Sequence, residues 1–321
     1  SQAHPTVSVL MSVHNGEKYL PQAMHSVLGQ DDDDLELVAV DDGSTDASGR
    51  ILDEMGSRDS RVKVLKRAHS GLTASLNAAL SVAGGAFVAR LDADDRNVPQ
   101  RFEAQRRYLM EHREVSLIGS NAVLIDEHGL EVGRTSLGYL DHQACVSRLE
   151  TMAAFIPHSS WMVRSEVMRA LGGYDEFFRK AQDYEFMCRF SEGHRMACLP
   201  EFLVELRKTR TSLTFDSDFL QYRYALVALI AHFCRIGRLD LVRPEKSFLF
   251  EAVSRWFDDL DLKRKLLAQR ELSFARVAFA GRHYRESISD LWHALLHDPF
   301  LVLSRQELAK LRSDPIPSLL P

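Results

Sequence analysis

The sequence predicts an α/β fold, a mostly parallel central sheet flanked by helices, followed by an all-α C-terminal extension. Three observations carry this reading. From Val7 to Glu111, apolar runs of strand type alternate with stretches of helical spacing. The strand-type runs end in polar or acidic residues, which collects the reactive groups at one end of each strand. From about Asp216 onward only helical spacing remains, interrupted by Gly237 and Gly281. The expected division is an α/β domain over residues 5–215 and a helical domain over residues 216–321.

Val7 to Val13 is a short apolar run of buried-strand type, broken by His14-Asn15-Gly16. Leu20, Met24, Val27 and Leu28 then follow at helical spacing. Leu35 to Val40 reads as a second strand, ending in Asp41-Asp-Gly-Ser-Thr-Asp46, with a helix over 47–55. Asp46 is placed to cap that helix. Val62 to Leu65 is a third strand and Leu72 to Val82 a helix. Phe87 to Leu91 is the fourth strand, and Pro99 suits the first turn of a helix running to Glu111. Right-handed crossovers between parallel strands place all four carboxyl ends on one edge. His14, Asp41, Asp42 and the Asp92–Asp95 cluster meet there. Beyond Glu111 the pattern shortens: an apolar Val115–Leu124, a turn at Asp126–Gly129, and a strand over Phe155–Val163.

Composition bounds the function. The 321 residues are 45% apolar and 26% charged, ordinary for a globular protein, and the net charge of −5 gives no support for nucleic-acid binding. The four cysteines have no paired spacing and read as reduced thiols of a cytosolic protein. No signal peptide is visible, and the longest apolar run, Ala225–Phe233, is far short of the roughly 20 residues of a membrane span.

Asp92, Asp94 and Asp95 fall within four positions at a strand end. Carboxylates that close repel unless something positive sits among them. A hard divalent cation is held by one or two carboxylates plus substrate phosphates. The cluster therefore reads either as a metal–diphosphate site or as a solvated acidic turn with Asp95 capping the next helix. Asp41 and Asp42 likewise read as nucleotide contacts or as turn formers before Gly43. Arg67 and Ser70-Gly71 precede a helix start that favours anions.

Taken together, VSVLMSVHNGEKY (7–19), VDDGSTD (40–46) and LDADDRNVP (91–99) resemble the successive signatures of inverting family-2 glycosyltransferases of the GT-A fold. The resemblance continues through Ile118–Gly129, His158–Asp175 and Gln182–Leu199, and covers roughly residues 6–215. It implies a nucleotide-diphosphate sugar donor, a UDP-sugar by preference, and a Mn²⁺ or Mg²⁺ ion. It also implies transfer of a single sugar, with inversion, to a hydroxyl of a glycan or lipid-linked acceptor, as in surface polysaccharide synthesis. Carried onto these residues, Ser12, His14, Asn15, Asp42 and Arg67 border the nucleotide, and Asp92 faces the ribose and sugar. Asp94 ligates the metal, with Asp95 as a second ligand or a cap. Arg90 either neutralises the cluster or lies on the other face of the sheet.

The family often has Glu-Asp where this chain has Gln182-Asp183, so the resemblance assigns the general base to Asp183, which also suits a helix N-terminus. Glu185, two residues on, falls on a different helix face and is the next candidate. His158 and Trp161 are weak candidates for acceptor contact, each with core packing as its alternative. Arg207 and Arg210 are weak candidates for the leaving diphosphate, because Thr209 stands where the family usually has His. Glu271–Pro299 resembles one tetratricopeptide-type hairpin. The tail is expected to serve as a helical buttress, with homodimerisation, acceptor binding or peripheral membrane contact as alternatives. The expected location is cytoplasmic, at the inner face of the plasma membrane, and a processive synthase that threads its product is not expected. The competing readings are a sugar nucleotidyltransferase, disfavoured by His14-Asn-Gly-Glu17 in place of a Gly-rich basic loop, and a non-catalytic scaffold.

Overall fold

A computed structural model of the chain describes residues 5–31, 34–153, 156–208, 220–239 and 245–257. Thr209, Arg210, Phe274, Trp292 and the hairpin expected over 271–299 lie outside the described residues, as does the side chain of Trp256.

The expected alternation is present. Strands β1 (Val7–Val13), β2 (Leu35–Asp42), β3 (Val62–Arg67) and β4 (Phe87–Arg90) are joined by helices α1 (Leu20–Leu28), α2 (Ser48–Arg58) and α3 (Leu72–Val82). β1 pairs in parallel with both β2 and β4, and β2 with β3. All eight residues of β2 are buried, because helices cover both faces of a parallel sheet. The register sets Val13 beside Asp41 and Asp42 beside Arg67, so the polar ends do share one edge.

The chain continues through β5 (Arg96–Asn97), α4 (Arg101–Glu111), β6 (Val115–Ile125), β7 (Glu131–Arg134), α5 (His142–Glu150), β8 (Met162–Arg164), α6 (Ser165–Ala170), α7 (Gln182–Ser191), β9 (Arg195–Arg207), α8 (Leu220–Arg235) and α9 (Lys246–Phe257). Among the described residues the sheet has nine strands in the order β3-β2-β1-β4-β8-β6-β9-β5, with β7 on β6. β8 runs antiparallel to β4 and β6, and β5 antiparallel to β9. The architecture is thus α/β, with a parallel half that bears the acidic strand ends and a second half with antiparallel pairs.

The expected strand over 155–163 is corrected. His158–Ser160 forms a 3-10 turn, and β8 is confined to three residues after it. The cause is local: the Pro157 carbonyl accepts from both the Ser160 N–H (2.9 Å) and the Ser160 hydroxyl (2.7 Å). Of the two alternatives for Asp95, the helix cap is excluded, since α4 begins six residues later at Arg101.

The residues group into two compact units, described one at a time. The first comprises Ser1–Val123, Arg134–Leu206 and Ala228–Arg243. Its core is the cluster of Val9, Met11, Leu20, Met24, Leu37 and Phe102 with their neighbours, all fully buried. The C-terminal half of α8 is held inside this unit by charge. Glu192, the C-cap of α7, accepts from His232 Nδ1 (2.9 Å) and Arg235 Nε (2.8 Å), and Glu150 accepts from Arg238 (2.6 Å). The second unit comprises Leu124–Gly133, Arg207–Val227 and Pro244–Pro321. In it Asp126 closes a turn by accepting from His128 N and Leu130 N, and the rings of Tyr224 and Phe250 lie 4.5 Å apart. Among the described residues no helix is long and apolar enough to cross a membrane.

Candidate active site

The loop after β1 is stitched to the turn after β2. Asn15 takes a left-handed conformation (φ 53°), and its Oδ1 accepts from Thr45 N (2.8 Å) and Thr45 Oγ1 (3.3 Å). Asn15 N donates to Ser44 Oγ, and His14 Nδ1 donates to the Asp42 carbonyl (2.9 Å). Gly43 (φ 71°) makes this turn possible, since a side chain there would strike His69 N at 2.7 Å. Asp46 lies one residue before Ala47, the N-cap of α2, so it is not the cap itself; it accepts from Ser48 N (2.9 Å).

Asp42 is buried, and its carboxylate accepts from Ser70 N (2.8 Å), Ser70 Oγ (3.0 Å) and Gly71 N (2.9 Å) at the head of α3. Burial pushes its pKa up, but these hydrogen bonds outweigh it and hold the carboxyl below its ordinary value. The His69 ring joins the cluster, with Nδ1 3.0 Å from Asp42 Oδ2 and its centroid 4.1 Å from that of His14. His69 was not singled out in the sequence; the only signal was its place before Ser70-Gly71. Arg67, at the end of β3, is exposed and donates to the Ala74 carbonyl (3.1 Å), and Ser12 pairs with Val40.

Past β4, Asp92 and Asp95 share the Ser159 hydroxyl. Asp92 is part-exposed, pairs with the Arg90 guanidinium through Oδ1, and accepts from Ser159 Oγ (2.8 Å) through Oδ2. Burial works against its ionisation, yet the Arg90 charge and the Ser159 hydroxyl lower its pKa overall. Asp95 is buried, with Ser159 Oγ 2.6 Å from its Oδ2, while Asp94 stays at intermediate exposure. The open question about Arg90 is resolved toward the cluster: its side chain is 2% exposed and faces Asp92. Arg101 lies behind it, fully buried, donating to the carbonyls of Arg90 (2.9 Å) and Trp161 (3.0 Å) and so tying β4 to the segment before β8.

Asp183 stands in the first turn of α7, just after Ala181 in the left-handed conformation (φ 54°). Its Oδ1 accepts from Tyr184 N (2.9 Å). Burial, with the nearby Asp92 charge, raises its pKa against the hydrogen bonds and the Arg90 charge that lower it. A carboxyl so raised is a stronger base in its ionised form. Glu185, by contrast, is 2% exposed and clamped by Arg189 in two contacts of 2.6 and 2.8 Å. That pairing removes it as the alternative base.

The four weak candidates part company. His158 is half-buried, with its Nε2 2.7 Å from the Tyr174 hydroxyl, and burial together with the Arg90 charge pushes its pKa down to about 3. Trp161 is corrected to a core residue: it is 1% exposed, its indole N–H donates to the Ile156 carbonyl (3.2 Å), and its ring lies 5.9 Å from Phe186. Arg207 is buried in the second unit and donates to the Asp126 carbonyl (2.8 Å), a structural bond rather than an open cation. Arg210 lies outside the described residues.

Asp92, Asp94 and Asp95 do not converge as a three-ligand group; among the described residues His14, Asp42 and His69 do, with ligand-type atoms within 4.8 Å of one another. Hydrogen bonds to Asp42 account for that cluster, so it requires no cation. Asp94 is a hard oxygen donor at intermediate exposure, which fits a cation held by one carboxylate and two phosphates. Asp95 turns inward to Ser159.

Comparison with known proteins follows the same outline. Residues 8–172 match the family described as Glycosyl transferase family 2. A putative glycosyltransferase EpsE of Bacillus subtilis (strain 168) is 33% identical over 260 residues, 79% of this chain and 90% of that protein. A chondroitin synthase of Escherichia coli is 28% identical over 59% of this chain and 27% of its own length. Among solved structures, residues 1–349 of S. aureus TarS in complex with UDP-GlcNAc superpose with a TM-score of 0.61 at 17% identity, covering 92% of this chain and 91% of that one.

Proposed function

The chain belongs to glycosyl transferase family 2, and from that premise we propose a metal-dependent, inverting transfer of one sugar from a UDP-sugar to a glycan or lipid-linked hydroxyl at the cytoplasmic face of the membrane. It is a glycosyltransferase with the GT-A type of α/β fold. The observation that carries the finer reading is the placement of Asp183 in the first turn of α7, with one oxygen accepting from Tyr184 N, while the neighbouring carboxylate Glu185 is paired with Arg189. One carboxylate serves the donor and another the acceptor. The UDP-sugar bound by TarS supports a uridine nucleotide, and the chondroitin synthase relative supports a glycan acceptor.

In this reading the loop of His14 and Asn15, with Asp42 and Arg67, borders the base and ribose. Asp42 acts by fixing the Ser70–Gly71 backbone, since its carboxylate is already saturated by those groups. Asp92, kept ionised beside Arg90, accepts from the hydroxyls of the ribose or sugar. Asp94 would hold Mn²⁺ or Mg²⁺, which would supply positive charge for the leaving diphosphate. Asp183 takes the proton of the acceptor hydroxyl as that oxygen attacks the anomeric carbon opposite the diphosphate. Glu185 and Arg189 fix α7 so that Asp183 meets the acceptor in one orientation.

Donor binding to Asp94→Asn, measured by calorimetry with Mn²⁺ and with excess chelator, tests the metal. The expected result is loss of tight UDP binding in the variant and in the chelated wild type. Full activity in excess chelator would overturn metal dependence.

A further inference from the structure

His158 and Tyr174 form a pair that the mechanism above leaves unused. Their contact is short, Nε2 to Oη 2.7 Å, between a half-buried ring and a hydroxyl on a residue 3% exposed. Among the described residues Nε2 is the one hydrogen-bond partner of that hydroxyl. A buried hydroxyl proton without an acceptor is costly, so Tyr174 donates and Nε2 accepts. A neutral imidazole carries one proton, and it therefore sits on Nδ1. The downward shift to about 3, caused by burial and the Arg90 charge, keeps the ring neutral at working pH. Edge contact with Trp161 at 4.6 Å fixes the ring plane.

Nδ1 has no protein partner among the described residues, nor is it sealed inside the protein as an orphan. The next residue, Ser159, is the hydroxyl that reaches both Asp92 and Asp95, so this turn borders the carboxylate site. We propose that His158, fixed as the Nδ1–H tautomer by Tyr174, is an uncharged hydrogen-bond donor to an oxygen of the sugar handled at this site. A neutral donor suits that place. A cation beside Asp92 would compete with Arg90, and an acceptor would repel the carboxylate oxygens. The inference rests on the glycosyltransferase reading and adds to it a contact that reads the sugar rather than the nucleotide.

Side-chain amides separate the two ring nitrogens, because the Asn amide N occupies the place of Nδ1 and the Gln amide N that of Nε2. The probes are UDP and the UDP-sugar that the wild-type chain turns over fastest. His158→Gln should weaken the response to sugar about tenfold while UDP affinity moves little, and His158→Asn should lose about threefold. Tyr174→Phe, which frees the tautomer, should fall between wild type and His158→Gln. A loss in the dissociation constant of the UDP-sugar without acceptor assigns the contact to the donor sugar; a loss confined to the KM of the acceptor assigns it to the acceptor sugar. Equal losses in the Asn and Gln variants, the reverse order, no change in either, or an equal loss for UDP would each overturn the proposal. The glycosyltransferase reading fails separately, through absence of transfer by the wild type.

Discussion

Asp183 carries two properties that belong together in a base and conflict in a structural residue. It is raised in pKa by burial and the Asp92 charge, and one of its oxygens accepts from the helix backbone at Tyr184. Turnover should therefore fall as pH drops through a value above the ordinary carboxylate range. Asp183→Asn keeps the Tyr184 hydrogen bond and cannot take a proton. Its expected effect is a loss of about 10²–10⁴-fold in kcat with little change in donor affinity. Stability should move the other way. A carboxyl with a raised folded pKa binds its proton more tightly when folded, so the ionised form opposes folding above that pKa. At pH 7 the Asn variant should melt slightly higher than wild type. A large fall in melting temperature would mark Asp183 as a structural cap, and near-normal turnover would require a base outside α7, because Glu185 is held by Arg189.

At the scale of elements, α7 is fixed at both ends. Its N-terminus presents Asp183, and its C-cap Glu192 takes bonds from His232 and Arg235 of α8. Burial raises the pKa of Glu192, but those partners lower it below the ordinary value. A depressed carboxyl contributes stability that is present above its unfolded pKa and disappears as pH falls through its folded pKa. Glu192→Gln should therefore cost about 1–2 kcal/mol at pH 7 and almost nothing at a pH where the wild-type group is itself protonated. Melting curves at both pH values check this; an equal cost at both would show that packing, not charge, holds the two helices.

The same element shows where sequence reasoning reached and where it stopped. β1 to β4, the edge they share and an acidic residue in the first turn of α7 were legible because hydrophobic period, turn residues and motif order are local. The clamp of Glu185 by Arg189 was at helical spacing and open to notice. The reach of Ser159 to Asp92 and Asp95, 67 and 64 residues away, was not, because a serine carries no pattern that names a distant partner. Trp161 could not be assigned from its type alone, since an aromatic before a short strand packs inward or meets a sugar depending on neighbours such as Phe186. Pro157 was the visible signal for the turn that replaced a strand.

For the whole molecule, the C-terminal half of α8 is not a detachable appendage of the first compact unit. Residues 228–243 belong to the first compact unit, and three of their side chains neutralise Glu150 and Glu192. A chain ended at Asp216 would lose those partners and expose two carboxylates set in partly buried sites. It should melt well below the full chain or fail to remain soluble; a truncation that was soluble, monomeric and equally heat-stable would contradict this. The central claim is the chemistry itself, inverting transfer of a sugar from a nucleotide donor. The most direct measurement is to incubate the full chain with Mn²⁺, a panel of UDP-sugars and glycan acceptors, and to read the anomeric configuration of the new linkage by proton NMR. The predicted result is a β-linkage from an α-linked donor. An α-linkage, or no transfer from any nucleotide sugar tested, would contradict the account.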